Sequence, residues 1–126
     1  MNKKIVIIDD EIHIRSLMEQ TLEDLEDDYN VIILSAGDGL SGIDMIRREK
    51  PDLVFLDVMM PGKNGYDICM EIKGEPEFKD TVIILLTASG QKMDKKKGYD
   101  AGAFRYCTKP FDPDEILELA KDVLGL

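Results

Sequence analysis

The stretch that decides the fold is Leu53-Val54-Phe55-Leu56, closed by Asp57. Four consecutive apolar residues do not alternate as a half-exposed strand does. They read as a strand covered on both faces, which is the habit of parallel sheets. Residues 82–86, Val-Ile-Ile-Leu-Leu, repeat the pattern. Outward from these two runs the chain alternates strand-like and helix-like segments five times. The expected strands are 4–8, 31–35, 53–56, 82–86 and 103–107. Between the first two, Ile14, Leu17, Met18, Thr21, Leu22 and Leu25 fall at the spacing of one helical stripe. A second helix is expected over 39–49, ending before Pro51. A third follows Pro61-Gly62 and runs to about Lys73. A fourth begins near Gln91 and fades between Gly98 and Gly102. The last covers 114–124, opened by Asp112 or Pro113.

Five strand–helix units predict an α/β fold, a doubly wound five-stranded parallel sheet in the order 2-1-3-4-5. This is the (βα)5 flavodoxin-like three-layer sandwich. At 126 residues the chain is expected to be one domain, 1–126. Its 16 basic and 26 acidic residues give a net charge of −10. That balance argues against nucleic acid or an anionic membrane as a direct partner. No apolar run is long enough to span a bilayer. Lys3-Lys4 and the run after them are too short for a signal peptide, so a cytoplasmic protein is expected. Cys69 and Cys107 make no disulfide framework and are expected in the core.

In such sheets the ligand sits at the carboxyl ends of the strands, where the strand order reverses. The first strand ends in Asp9-Asp10 and the third in Asp57, and the order makes these strands neighbours. Three converging carboxylates repel one another, and a hard divalent cation such as magnesium relieves them. Each residue also has a plainer reading. Asp9 or Asp10 could cap the first helix, and Thr87 could cap the fourth. Lys109 before Pro110 could be a surface lysine at a turn, and Tyr106 a partly buried strand aromatic. Acids, Thr87 and Lys109 together nevertheless occupy four of the five strand ends.

These residues carry a resemblance. Ile7 to Glu11, Leu56 to Gly65, Leu86-Thr87-Ala88, Gly102-Ala103 and Tyr106 to Phe111 are similar, in order and spacing, to the CheY-like receiver domains of two-component response regulators. The similarity extends over essentially the whole chain. It implies that Asp57 accepts a phosphoryl group from a histidine kinase or histidine phosphotransfer protein. It implies that Asp10 and Asp57 bind Mg2+ directly with the Met59 carbonyl, Asp9 acting mostly through water. Lys109 would pair with Asp57 and then with the phosphoryl group, to which Thr87 would donate its hydroxyl. Tyr106 would turn inward as the aromatic switch, and the Lys109-Pro110 bond would be cis. Self-dephosphorylation would be moderate or slow, because Met59 has no acid or amide to orient water.

The family signals through the face of the fourth helix, fifth strand and fifth helix. Here that face carries Lys92, Lys95, Lys96 and Lys97 beside Tyr106. It reads either as a solvated charge run or as a dock for an acidic segment of an unknown downstream protein. With only Lys121 basic on the fifth helix, the charged dimer face of winged-helix regulators fits poorly. A stand-alone or excised receiver, monomeric or weakly dimerising on phosphorylation, fits better. A haloacid-dehalogenase-type phosphatase would need an acid where Met59 stands. An FMN carrier would need a phosphate loop in place of Asp9-Asp10-Glu11. A receiver-shaped adaptor that binds partners without phosphorylation stays open. The chain is expected to catalyse nothing beyond its own phosphorylation and dephosphorylation.

Overall fold

Alternate residues of the central strands feed two separate cores. Val6, Ile8, Val54, Leu56, Ile83 and Leu85 point to one side of the sheet. Ile5, Ile7, Leu53, Phe55, Ile84 and Leu86 point to the other. That two-sided demand is why these strands read as unbroken apolar runs. The computed structural model describes residues 2–88 and 95–126, with the backbone alone at Lys95. The strands are β1 (Lys4–Ile8), β2 (Ile32–Ala36), β3 (Leu53–Asp57), β4 (Val82–Ala88) and β5 (Arg105–Lys109). They form one parallel sheet in the order β2-β1-β3-β4-β5, as expected.

The helices are α1 (Ile12–Tyr29), α2 (Gly39–Glu49), α3 (Gly65–Lys73), α4 (Lys95–Asp100) and α5 (Pro113–Leu124). A 3-10 turn at Pro76–Phe78, not foreseen, lies between α3 and β4. α2 and α3 cover the first core, through Ile43, Ile46, Ile68, Cys69 and Ile72, joined by Ala101 just after α4. α1 and α5 cover the second, through Met18, Leu22, Leu25, Ile116, Ala120 and Leu124. Both cysteines are buried and free. Among the described residues no helix is long and apolar enough to cross a membrane.

Caps set the helix ends. Asp38 Oδ1 accepts from the Ser41 N–H at 2.8 Å, Asn64 Oδ1 from Asp67 at 3.0 Å, and Asp112 Oδ1 from Asp114 at 2.9 Å. Each satisfies a first-turn amide that the helix cannot. α1 ends at Asn30, left-handed at φ 56°, a conformation asparagine tolerates. α2 ends at Lys50, just before Pro51.

Leu17 and β5 depart from expectation. Leu17 was placed on the buried stripe of α1 and is 41% exposed. The helix turns 100° per residue, which puts Leu17 about a quarter-turn from the Met18–Leu22–Leu25 line. β5 begins at Arg105 rather than 103, because the Ala103 N–H is spent on the Gly98 carbonyl at the end of α4. The start expected for the fourth helix near Gln91 lies outside the described residues.

Candidate functional site

Strand geometry assembles the site. Ile8 is in register with Leu56, so Asp9, the next residue, lies beside Asp57 at the end of β3. Asp57 itself is level with Leu86, which places Thr87 one step beyond it on β4. Thr87 is level with Thr108, and Ala88 with Lys109. Asp9, Asp57, Thr87 and Lys109 are all buried, at 0%, 3%, 2% and 8% exposure. Asp10 faces solvent. Carboxylate oxygens of Asp9, Asp10 and Asp57 lie within 4.8 Å of one another. Sequence position alone put these side chains on one edge, and the structure brings them together.

Asp9 is held from every side. Its N–H donates to the Ala36 carbonyl at 3.2 Å, and its carbonyl accepts from Arg15 Nη1 at 2.8 Å. Its Oδ1 accepts from the Glu11 N–H at 2.9 Å, and its Oδ2 is ion-paired to Lys109 Nζ at 2.6 Å. The capping alternative for Asp9 falls away. The cap residue of α1 is Glu11, with no side-chain cap bond, and the Asp9 carboxylate folds over its own loop.

The resemblance implies that Lys109 pairs with Asp57 and then with the phosphoryl group. It lies 3.5 Å from Asp57 Oδ2 and 3.9 Å from Glu11 Oε1, so Asp9 is its nearer partner. The reason is burial: the Asp9 carboxylate is fully enclosed, out of reach of solvent, so the buried Lys109 ammonium settles there. Burial alone pulls the Lys109 ammonium down, but the Asp9 bond and the charges of Asp57, Asp9 and Glu11 outweigh it and hold the group above its ordinary value. The Lys109-Pro110 bond is cis, as expected.

Asp57 goes the other way from a normal surface acid. Burial, then the charge of Asp9, push its carboxyl up to about 7, while Lys109 and the Met59 N–H hold it down less strongly. That N–H donates to Asp57 Oδ1 at 3.2 Å, and the Met59 side chain is exposed. A crowded set of oxygen donors, one of them pushed up by burial and by its neighbour's charge, fits a hard divalent cation. The donors contain no sulfur or imidazole, which excludes a zinc-type set here.

Several contributors had gone unassigned. Arg15 follows Asp9 by six residues, and only the folded loop shows that its guanidinium reaches the Asp9 carbonyl. Gly65 opens α3 directly beneath the acid. A Cβ there would overlap the Asp57 carbonyl and come within 2.8 Å of Val58 Cα. The glycine therefore lets the helix start against the strand end, and its N–H donates to the Val58 carbonyl at 2.8 Å.

A family model, the response regulator receiver domain, matches residues 5–121. The chain belongs to the response regulator receiver domain family. Solved structures agree. A Chloroflexus aurantiacus J-10-fl protein assigned as a response regulator is 29% identical, covers 100% of both chains and superposes with a TM-score of 0.87. The chemotaxis response regulator CheY4 of Vibrio cholerae is 27% identical over 98% of this chain and 99% of its own, with a TM-score of 0.85. The BeF3-activated DrrB receiver domain is 33% identical over 100% of both chains, with a TM-score of 0.80. Receiver domains are signalling modules with a phosphoacceptor role in two-component systems, acting between histidine kinases or phosphotransfer proteins and downstream targets. They typically bind Mg2+ at an acidic pocket, and the Asp9, Asp10 and Asp57 cluster is that pocket's place in this receiver.

The output face is only partly described. Lys92 lies outside the described residues, as does the side chain of Lys95. Lys96 is exposed and 3.7 Å from Asp100. Tyr106 is half-buried against the first core. The groove between β5 and α5 is lined by Asp112, Asp114, Glu115, Glu118 and Asp122 with Arg105, so the face is basic at α4 and acidic at α5.

Proposed function

We propose that Asp57 is the phosphoacceptor of this receiver. The observation that carries the reading is its carboxyl, buried at the end of β3 within 3.5 Å of Lys109 and clustered with the Asp9 and Asp10 carboxylates. An Asp57 oxygen attacks the phosphorus, and the bond from phosphorus to the donor histidine nitrogen breaks. That nitrogen keeps the electron pair and takes a proton. Asp10, Asp57 and the Met59 carbonyl would hold the Mg2+, with Asp9 contributing mostly through water. When bound, the ion would supply positive charge against the phosphoryl oxygens.

The chain's own groups do the rest. Lys109 is already within 3.5 Å of Asp57 and moves from Asp9 toward the new oxygens. Thr87, buried at the end of β4, donates its hydroxyl to them. The added charge, about −2, draws both residues and so biases the ends of β4 and β5. Tyr106, two residues before Thr108 on β5, relays that shift to α4, β5 and α5. Lys92, Lys95 and Lys96 receive an acidic segment of the downstream protein at the α4 side. Residues 1–126 act as one receiver unit and carry out no turnover beyond gain and loss of their own phosphoryl group. Met59, exposed and without an acid or amide, leaves that group long-lived, beyond seconds.

The test is intact mass after incubation with acetyl phosphate, with and without Mg2+, for wild type and Asp57→Asn. Gain of one phosphoryl group that needs both Mg2+ and Asp57 is expected. Gain that survives Asp57→Asn overturns the assignment. If nothing is gained and beryllofluoride does not bind either, the phosphorylation-independent adaptor takes its place.

A further inference from the structure

Tyr66 is a buried phenol with no part in the chemistry at Asp57. It stands in the first turn of α3 and is 8% exposed. A phenol at that depth needs a partner for its hydroxyl. Tyr106, on β5, is turned toward it: the Tyr106 hydroxyl donates to the Tyr66 side chain and accepts from the Gly98 N–H. Gly98 lies in α4, and its bare Cα makes room for that hydroxyl. A Cβ at Gly98 would overlap the hydroxyl oxygen outright, and would come within 2.6 Å of Tyr106 Cζ and 3.1 Å of Leu85 Cδ1. Tyr99 closes the outer side, edge-on to the Tyr106 ring with centroids 5.3 Å apart. From the far side, Lys97 Nζ sits 5.0 Å over the Tyr66 ring and ties α4 to α3. Three elements thus form a receptacle one phenol wide.

We propose that Tyr66 and Gly98 form a seat for Tyr106, and that Tyr66 is the positioning residue that holds the Tyr106 ring against α4 before phosphorylation. Its meaning for signalling rests on the relay reading of Tyr106 above, while the seat itself does not. The seat makes α4 and Tyr106 one mechanical unit. Tyr106 cannot leave without opening a gap under α4, and α4 cannot close toward β4 while the ring is seated.

The experiment uses tyrosine-ring 13C NMR on the full chain, metal-free, for wild type, Tyr66→Phe and Gly98→Ala. With four tyrosines and no tryptophan the ring signals are few and assignable. Wild type should show a cross-peak between the Tyr106 ring and Gly98 Hα. It should also keep Tyr106 protonated at pH 10.5, since burial and Tyr66 hold that phenol up at about 12. Tyr66→Phe should lower the ratio of seated to unseated ring about five- to tenfold, the equivalent of one buried hydrogen bond. Ionisation of Tyr106 at pH 10.5 should rise about fivefold. Gly98→Ala should abolish the cross-peak while the sheet amide shifts stay in place. A Tyr66→Phe protein with unchanged cross-peak and unchanged ionisation overturns the role of Tyr66. A Gly98→Ala protein that keeps Tyr106 seated by displacing α4 overturns the role of Gly98. If both variants behave as expected but Asp57 takes no phosphoryl group from acetyl phosphate, the seat is upheld and the relay is not.

Discussion

The two ends of the same sheet treat charge in opposite ways. At the amino end, Lys4 Nζ meets Glu49 Oε1 at 3.2 Å, Arg48 Nε meets Glu49 Oε2 at 3.1 Å, and the Lys4 N–H donates to Asp52 Oδ2 at 2.9 Å. Every acid there has a cation or amide and a share of solvent, and the Glu49 carboxyl is held below its ordinary value by its bonds from Lys4 and Arg48. At the carboxyl end, burial and Asp9 push Asp57 up to about 7. Asp9, Asp57 and the more exposed Glu11 share the buried Lys109, while Asp10 adds a third carboxylate beside Asp9 and Asp57. Both ends hold acids and lysines, so composition does not separate them. What separates them is access to water: an exposed pair resolves its electrostatics on the spot, while a buried surplus of negative charge stays unresolved until a cation arrives.

The largest test of that contrast is Lys109→Met. Removing this buried cation should cut the rate of phosphoryl gain from acetyl phosphate about 100- to 1000-fold, as losing a charge-stabilising donor does elsewhere. It should also tighten Mg2+ binding, because a competitor for Asp9 and Asp57 is gone. Weaker Mg2+ binding, read by titration calorimetry, would mean that Lys109 organises the acids rather than competing with a cation.

Gly65→Ala comes next. The new Cβ must displace the Asp57 carbonyl or the start of α3, at a cost of about 2–3 kcal/mol in urea unfolding. An unchanged midpoint would show that the acid's loop yields easily.

A smaller effect, and the one most specific to unresolved charge, is pH. Folded Asp57 holds its proton more tightly than the unfolded chain does, so the metal-free fold loses stability from this group as pH rises from its ordinary value of 3.8 to about 7. Asp57→Asn has no such decline. It should be more stable than wild type by about 1–2 kcal/mol above pH 7, and the gap should close toward pH 4. Added Mg2+ at pH 8 should stabilise wild type more than the variant. A gap that stays constant with pH would assign the gain to packing.

Glu49→Gln, at the amino end, should change the unfolding midpoint least, because a solvent-screened pair contributes little. Its sign of pH dependence is opposite. The Glu49 contribution is present above the ordinary carboxylate value and is lost as pH falls through the depressed one. Unfolding midpoints at pH 3 and pH 7 read both acids in one series.

Much of this was legible before folding. Two-sided apolar runs report a doubly covered strand, Pro51 marks a helix end, and an acid after each of two adjacent strands marks the site. These signals are local, because burial period and strand length are written into neighbouring residues. The register then follows from the order of elements, and with it the meeting of Asp9, Asp10 and Asp57. What the order cannot carry is distance between side chains from different elements. That Lys109 leans on Asp9 rather than Asp57 depends on which carboxylate is walled off from water. That Leu17 surfaces depends on how far around α1 the second core reaches. Arg15, Gly65, Tyr66 and Gly98 have no pattern of their own. Their roles come from what stands opposite them, and only packing the helices onto the sheet decides that.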